Sequence, residues 1–89
     1  MQRVVDNRSE QEFTLEVDGE VAVAAYQRED NVIIFTHTLV PPAIEGHGVG
    51  SRLVRGALDL ARDQGLKVVP QCPFVRAFIE RHPAYRDLL

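Results

Sequence analysis

Hydrophobic and polar residues alternate through the first half of the chain and then change period. Phe13, Leu15 and Val17 fall on one side of an extended segment and Thr14 and Glu16 on the other, the pattern of a half-buried strand. Asp18-Gly19 follows, a dipeptide suited to a two-residue hairpin turn. Val21 to Tyr26 reads as the return strand, and its small and larger apolar residues suit cover on both faces. Arg28-Glu29-Asp30-Asn31 gives a second polar turn, with Asn31 able to take positive φ. Val32 to Val40 is the longest β-type run: Ile33, Phe35, His37 and Leu39 share one face, Val32, Ile34, Thr36, Thr38 and Val40 the other. Pro41 cannot donate to a ladder, so pairing stops there. The first half is therefore expected to be an antiparallel meander of three strands. Residues 1–11 form a polar lead-in with at most a strand start at Val4-Val5.

Beyond the glycines at 46, 48 and 50 the period becomes helical. At about 100° per residue, Val49, Leu53, Val54, Ala57, Leu58, Leu60 and Ala61 fill one half of the wheel, with Arg52, Arg55, Asp59, Arg62 and Asp63 opposite. A half-wide apolar arc suits a helix lying on a sheet, and Gly65 supplies its stop. Lys67 to Pro70 is a short strand, reached by a right-handed crossover and parallel to its neighbour. Pro73 sits where helix starts favour proline. Phe74, Val75, Phe78 and Ile79 make the buried stripe of a second short helix ended by Pro83, and Tyr85 with Leu88-Leu89 folds back onto the core. The fold class is α/β (α+β): a meander, a helix, a parallel strand and a C-terminal helix.

Composition narrows the function more than the fold. Eighty-nine residues make one domain, 1–89, with a single core. A hydrophobic fraction of 45% and a charged fraction of 26% match an ordinary globular chain. A net charge of −3 offers no basic footprint for nucleic acid. No apolar run approaches the ~20 residues of a membrane helix, and the N-terminal segment lacks the apolar core of a signal peptide. The single cysteine makes neither an internal disulfide nor, by itself, a metal site. The expectation is a cytoplasmic protein with no metal, nucleic acid or membrane partner.

The candidate chemistry lies between Leu39 and Arg55. A glycine loop opening into a helix presents unpaired backbone N–H groups and the positive end of a helix dipole, a site for phosphate. Glycine removes the Cβ atoms that would hold a diphosphate off the backbone. A merely capped turn gives the same spacing, so the glycines alone do not decide.

Further residues carry a resemblance. Hairpins, a long strand, a glycine loop, a helix, a strand and a final helix follow the core order of the GNAT-type N-acetyltransferases, whose acetyl-CoA loop has the form Q/R-x-x-G-x-G/A. Here Glu45-Gly46-His47-Gly48-Val49-Gly50 matches the glycines but not the leading basic residue. The small, single-domain branch of that superfamily is more similar still: its pattern runs HT-x-VP, RG-x-G, P-x-CPFV and RHP-x-Y. This chain has His37-Thr38-Leu39-Val40-Pro41, Gly46-His47-Gly48, Pro70-Gln71-Cys72-Pro73-Phe74-Val75 and Arg81-His82-Pro83-Ala84-Tyr85 in the same order, over residues 13–89.

The resemblance implies acetyl-CoA as the coenzyme. Its diphosphate would lie on the backbone of Gly46, His47, Gly48, Val49, Gly50 and Ser51, with Leu39, Val40 and Phe74 completing the coenzyme-binding set. The pantetheine arm would run between strands that splay after Val40 and before Cys72, and a backbone N–H near Val40 would polarise the thioester. The reaction implied is acetyl transfer to an unidentified amine, which a protein could supply. The alternative is an acyl-CoA-binding or interaction module with little transferase activity.

Cys72 and His37 are the catalytic candidates. Cys72 precedes a proline-started helix whose dipole favours thiolate, and the resemblance suggests a thiol facing the acetyl group, hence an acyl relay; the other reading is a small, inert core cysteine. His37 is either a general base or a hydrogen-bonded core residue. Relatives often carry a carboxylate where this chain has Leu39. His47 touches phosphate or sits in solvent, and His82 belongs to the helix-end motif. Glu45 stands where a basic residue would attract the diphosphate, which predicts weakened coenzyme binding. Asp18-Gly19 joins two strands directly where full-sized members insert helices, leaving an open acceptor side.

Overall fold

Asp18 and Gly19 take φ of 51° and 80°, the left-handed pair that a type I′ turn needs, and Val17 pairs with Glu20 across them. The expected hairpin therefore forms in the computed structural model, which describes residues 3–89. Four antiparallel strands follow in chain order: β1 (Val5–Asn7), β2 (Glu12–Val17), β3 (Glu20–Glu29) and β4 (Val32–Leu39). A fifth, β5 (Lys67–Pro70), runs parallel to β4, and the sheet order is β1-β2-β3-β4-β5. The meander thus has four strands rather than three. Val5 pairs with Thr14 and Asn7 with Glu12 around a turn in which Gln11 has φ 54°. Three residues, two of them polar, are too few for alternation to reveal. Met1 and Gln2, the start of the expected lead-in, lie outside the described residues. At the next hairpin Glu29 pairs with Val32, and Asp30 rather than Asn31 takes the positive φ, 52°. Aspartate tolerates that region for the same reason as asparagine, a short polar side chain.

A β-bulge divides β4. Tyr26 pairs with Phe35 but Ala25 with His37, so Thr36 is an extra residue with no opposite number. Its hydroxyl donates to the Ala25 carbonyl at 3.3 Å. The insertion reverses the alternation. Ile33 and Phe35 are buried under the helices, but His37 and Leu39 face the other way and are exposed, correcting the shared face expected for these four residues. Thr38 and Val40 take over the inner side.

The helix α1 (Val49–Asp63) buries Val49, Leu53, Val54, Ala57, Leu58 and Ala61 of the predicted arc, while Leu60 is only half-buried at its margin. It ends as Gly65 adopts φ 72°, with Gly65 N–H bonded to Arg62 O and Leu66 N–H to Ala61 O at 2.9 and 3.0 Å. The second helix, α2 (Pro73–Arg81), buries Val75, Phe78 and Ile79. Phe74 departs from the expected stripe: it is 38% exposed, at the helix's first turn. The terminal 3₁₀ turn (Pro83–Leu88) returns Tyr85 and Leu88 to the core but leaves Leu89 exposed.

Both helices pack on one face of the sheet, around Phe13, Leu15, Ala22, Ala24, Ile33 and Phe35. The opposite face has no helix on it among the described residues. Val5, Val21, Leu39 and Val69 stand exposed there, so β3 and β4 are covered on one side and not two. No helix of the described residues is long and apolar enough to cross a membrane.

The inner face is pinned where the first and third strands meet the end of α1. Tyr26 Oη donates to Asp6 Oδ1 at 2.6 Å, while Gln64 accepts from Arg28 at 2.9 Å and its amide lies 3.5 Å from Asp6. Burial, then the bond to the Asp6 carboxylate, pushes the Tyr26 phenol up to about 12. A raised folded-state pKa means that the unfolded chain loses this proton first. The stabilisation is therefore complete below pH 10 and lost as pH rises toward 12. Denaturant midpoints measured across that window should fall in the wild type and fall less steeply in Tyr26→Phe. Parallel curves would mean that the phenol does not govern the alkaline limb.

Candidate functional site

Past Pro41 the chain makes one 3₁₀ turn (Pro42–Ile44) that buries Ile44 and anchors the loop to the core. Glu45, Gly46, His47 and Gly48 then lead into α1, with Gly46 and Gly48 at φ 82° and 71°. Gly48 is the residue before the first helical turn, and it holds a left-handed backbone. Having no side chain, it cannot cap. Helix starts normally recruit Ser, Thr, Asp or Asn to accept from the first free N–H groups. Here no side chain does so, and the first turn carries no acidic residue. Arg52 N–H bonds to Gly48 O at 3.0 Å, which leaves the N–H groups of Val49, Gly50 and Ser51 without a partner among the described residues. Three donors at the positive end of a fifteen-residue helix form an anion-binding surface.

These donors open onto a cavity of about 410 Å³. Gly46, Gly48, Val49, Gly50 and Ser51 line its helix side, Thr38 and Val40 its strand side, and Phe74 and Glu45 complete the lining. The fit around Gly50 is close. A Cβ placed on Gly50 would lie 2.7 Å from the Phe74 ring, so only glycine allows the ring to rest on the helix start.

The strand side follows from the bulge and from the length of β5. Pairing between β4 and β5 ends at Phe35 opposite Pro70, and Cys72 N–H then bonds to Phe35 O at 2.9 Å. Beyond that point β4 continues to Leu39 paired with β3 but with no strand on its other side, so that edge from Thr36 onward borders a notch. The bulge turns the Thr38 side chain inward, 3.4 Å from Cys72 Sγ.

The structure thus brings together Val40, Gly46, Gly48, Val49, Gly50, Ser51 and Phe74 around one cavity. Two other residues proposed for the coenzyme, Leu39 and His47, lie outside its walls, Leu39 on the open sheet face and His47 in solvent. Cys72 is 3% exposed and sits behind Thr38 rather than in the wall. His37 is exposed on the open face, with Nδ1 3.4 Å from Thr36 Oγ1. It is neither a core residue nor part of the cavity. His82 packs its ring on Phe78 at 4.0 Å and places Nδ1 2.8 Å from the Phe78 carbonyl. Thr38 was concealed by the bulge, because strict alternation assigns it to the wrong face. The residues present fit a diphosphate, with one opposing feature, the acidic residue Glu45 in the lining.

Comparison with known proteins gives a consistent result. Residues 12–88 match the family described as GCN5-related N-acetyl-transferase. Protein NATD1 of Bos taurus and protein NATD1 of Homo sapiens are each 30% identical over 84 residues, spanning 91% of this chain and 74% of theirs. The solution structure of a GCN5-like protein from Staphylococcus aureus superposes with a TM-score of 0.73 at 27% identity, covering 97% of this chain and 85% of that one. The chain belongs to the GCN5-related N-acetyltransferase family.

Proposed function

We propose that this protein transfers an acetyl group from acetyl-CoA to an amine, with residues 1–89 acting as one domain. The observation that carries the reading is the uncapped start of α1, whose N–H groups at Val49, Gly50 and Ser51 face a cavity walled by β4. Bound acetyl-CoA supplies the acetyl group as a thioester. Val49, Gly50 and Ser51 hold the diphosphate by backbone donation, and Phe74 walls the cavity beside them. The unpaired edge of β4 past Phe35 receives the extended arm, and backbone N–H groups there polarise the carbonyl. The amine nitrogen attacks the carbonyl carbon, the carbon–sulfur bond breaks, and the sulfur leaves with coenzyme A. His37, on the open side of the same strand, takes the proton that the amine gives up.

Transfer goes directly and not through Cys72, whose thiol lies behind Thr38. Intact-mass measurement after incubation with acetyl-CoA is expected to show no acetyl adduct on Cys72, and Cys72→Ala is expected to keep turnover within about threefold. An adduct that forms and then decays on adding amine would establish the relay instead.

The test of the whole reading is a calorimetric titration with acetyl-CoA, followed by turnover with a panel of amines. Saturable binding that weakens when the Gly46–Gly50 loop is altered, together with transfer to an amine, is the expected result. Binding without transfer to any amine would make the protein an acyl-CoA-binding module, and no binding at millimolar coenzyme would remove the reading. In the same titration Glu45→Arg should tighten binding by about threefold at low salt, the gain shrinking as salt screens it. Equal affinities would show that the Glu45 side chain turns away from the anion.

A further inference from the structure

Charge is divided between the two layers of the fold. Residues 1–48, which form the meander and the loop, carry three basic and nine acidic side chains; residues 49–89 carry seven basic and four acidic. Without β5, whose Lys67 belongs to the sheet, the helix layer still carries six basic against four acidic side chains, so it is positive and the meander negative. Cross-strand register shows which charges reach the bare sheet face. Glu12, Ala25 and His37 lie in one row across β2, β3 and β4, and Thr14, Val23 and Leu39 in the next. Glu16 beside Val21 makes a third. Arg28, the basic residue of β3, instead reaches the helix side, where it bonds Gln64.

We infer that this open face docks a cationic peptide segment and presents one of its lysines to the acetyl group. The inference rests on the acetyl-transfer reading and names its acceptor. Three observations converge on it. The face combines exposed apolar side chains, Val21 at 46% and Leu39 at 62%, with the carboxylates of Glu12 and Glu16. It adjoins the notch beside β4, where the sheet lacks a fifth strand past Phe35 and Thr38 of the same strand lines the cavity. Its sign is opposite to that of the helix layer that takes the polyanionic coenzyme, so the two substrates are attracted to opposite sides of one strand.

The geometry selects the occupant. Glu12 and Glu16 stand four residues apart on β2, about 13 Å, which matches positions four apart on one side of an extended peptide. A second copy of this chain would set one acidic face against another, since a two-fold interface pairs a surface with itself. A small polyamine meets the charges but leaves Val21 and Leu39 uncovered.

The experiment titrates a lysine-bearing peptide of net positive charge into the ¹⁵N-labelled full chain, with an acidic peptide of equal length and a free polyamine as parallel arms. Amide shifts confined to Glu12–Glu16, Val21–Ala25 and His37–Leu39 are expected, with binding that weakens as salt is raised. The variant Glu12→Gln/Glu16→Gln should bind the peptide about tenfold more weakly while titrating coenzyme as the wild type does. Shifts on α1 or α2, equal binding of the acidic peptide, tighter binding of the polyamine, or peptide-independent self-association through this face would each overturn the proposal. Because peptide and coenzyme are titrated separately, a chain that binds coenzyme but not the peptide fails this inference alone. A chain that binds neither fails both.

Discussion

Phe13→Ala is expected to lower the unfolding free energy by about 3–5 kcal/mol, the usual loss for truncating a buried phenylalanine. Phe13 is 0% exposed, and its ring lies 5.0 Å from that of Tyr26 and 5.8 Å from that of Phe35. It joins three strands at the centre of the face that α1 covers. Small domains hold a total of about 5–15 kcal/mol, so a loss of this size leaves little margin. Urea denaturation measures it directly, as a lower midpoint at unchanged slope. Phe13→Leu, which keeps most of the volume, should lose about 1.5 kcal/mol or less. A loss under 1 kcal/mol for alanine would mean that the neighbouring rings close over the gap and that Phe13 does not organise the core.

β2, β3 and β4 were legible in the sequence through a turn and an alternation together, and β5 through its place between the helix stop at Gly65 and Pro73. Asp18-Gly19 placed the first hairpin, and the apolar arc from Val49 to Ala61 placed α1. β1 was not legible, because Val5-Asp6-Asn7 is short and joins the sheet through pairing with β2 rather than through its own pattern. The bulge at Thr36 was the larger omission. Nothing in a threonine announces an extra residue, since bulges arise from the register of two strands and not from the composition of one. Its consequences reach the site: Thr38 turns in, and His37 and Leu39 turn out. The glycine loop was legible as a candidate phosphate site because its signal is local, glycines running into a helix start, to which the structure adds the lack of a capping side chain. Phe74 entered the candidate site through the motif alone, and the structure places it in the cavity lining. Its helical spacing pointed instead to the core, which the ring's rest on Gly50 contradicts.

Gly50→Val should abolish measurable coenzyme binding in the micromolar range, at least a tenfold loss, while the protein stays folded. Gly50 lies in the first turn of α1 with ordinary helical backbone, so the effect is spatial rather than conformational. Any Cβ at this position meets the Phe74 ring at 2.7 Å. The ring is partly exposed and meets it with its outermost carbon, so it can swing aside at little expense to stability. It would then leave the cavity wall. The branched carbons of valine would also crowd the N–H groups of Gly50 and Ser51, which a phosphate must approach within hydrogen-bonding distance. The two effects separate in a double-mutant cycle. Gly50→Ala should lose several-fold affinity by displacing the ring, and adding Phe74→Ala to it should cost less than Phe74→Ala does in the wild type. Wild-type affinity in Gly50→Val would show that the anion does not sit at the start of α1, and the acetyl-CoA site would have to lie elsewhere on the chain.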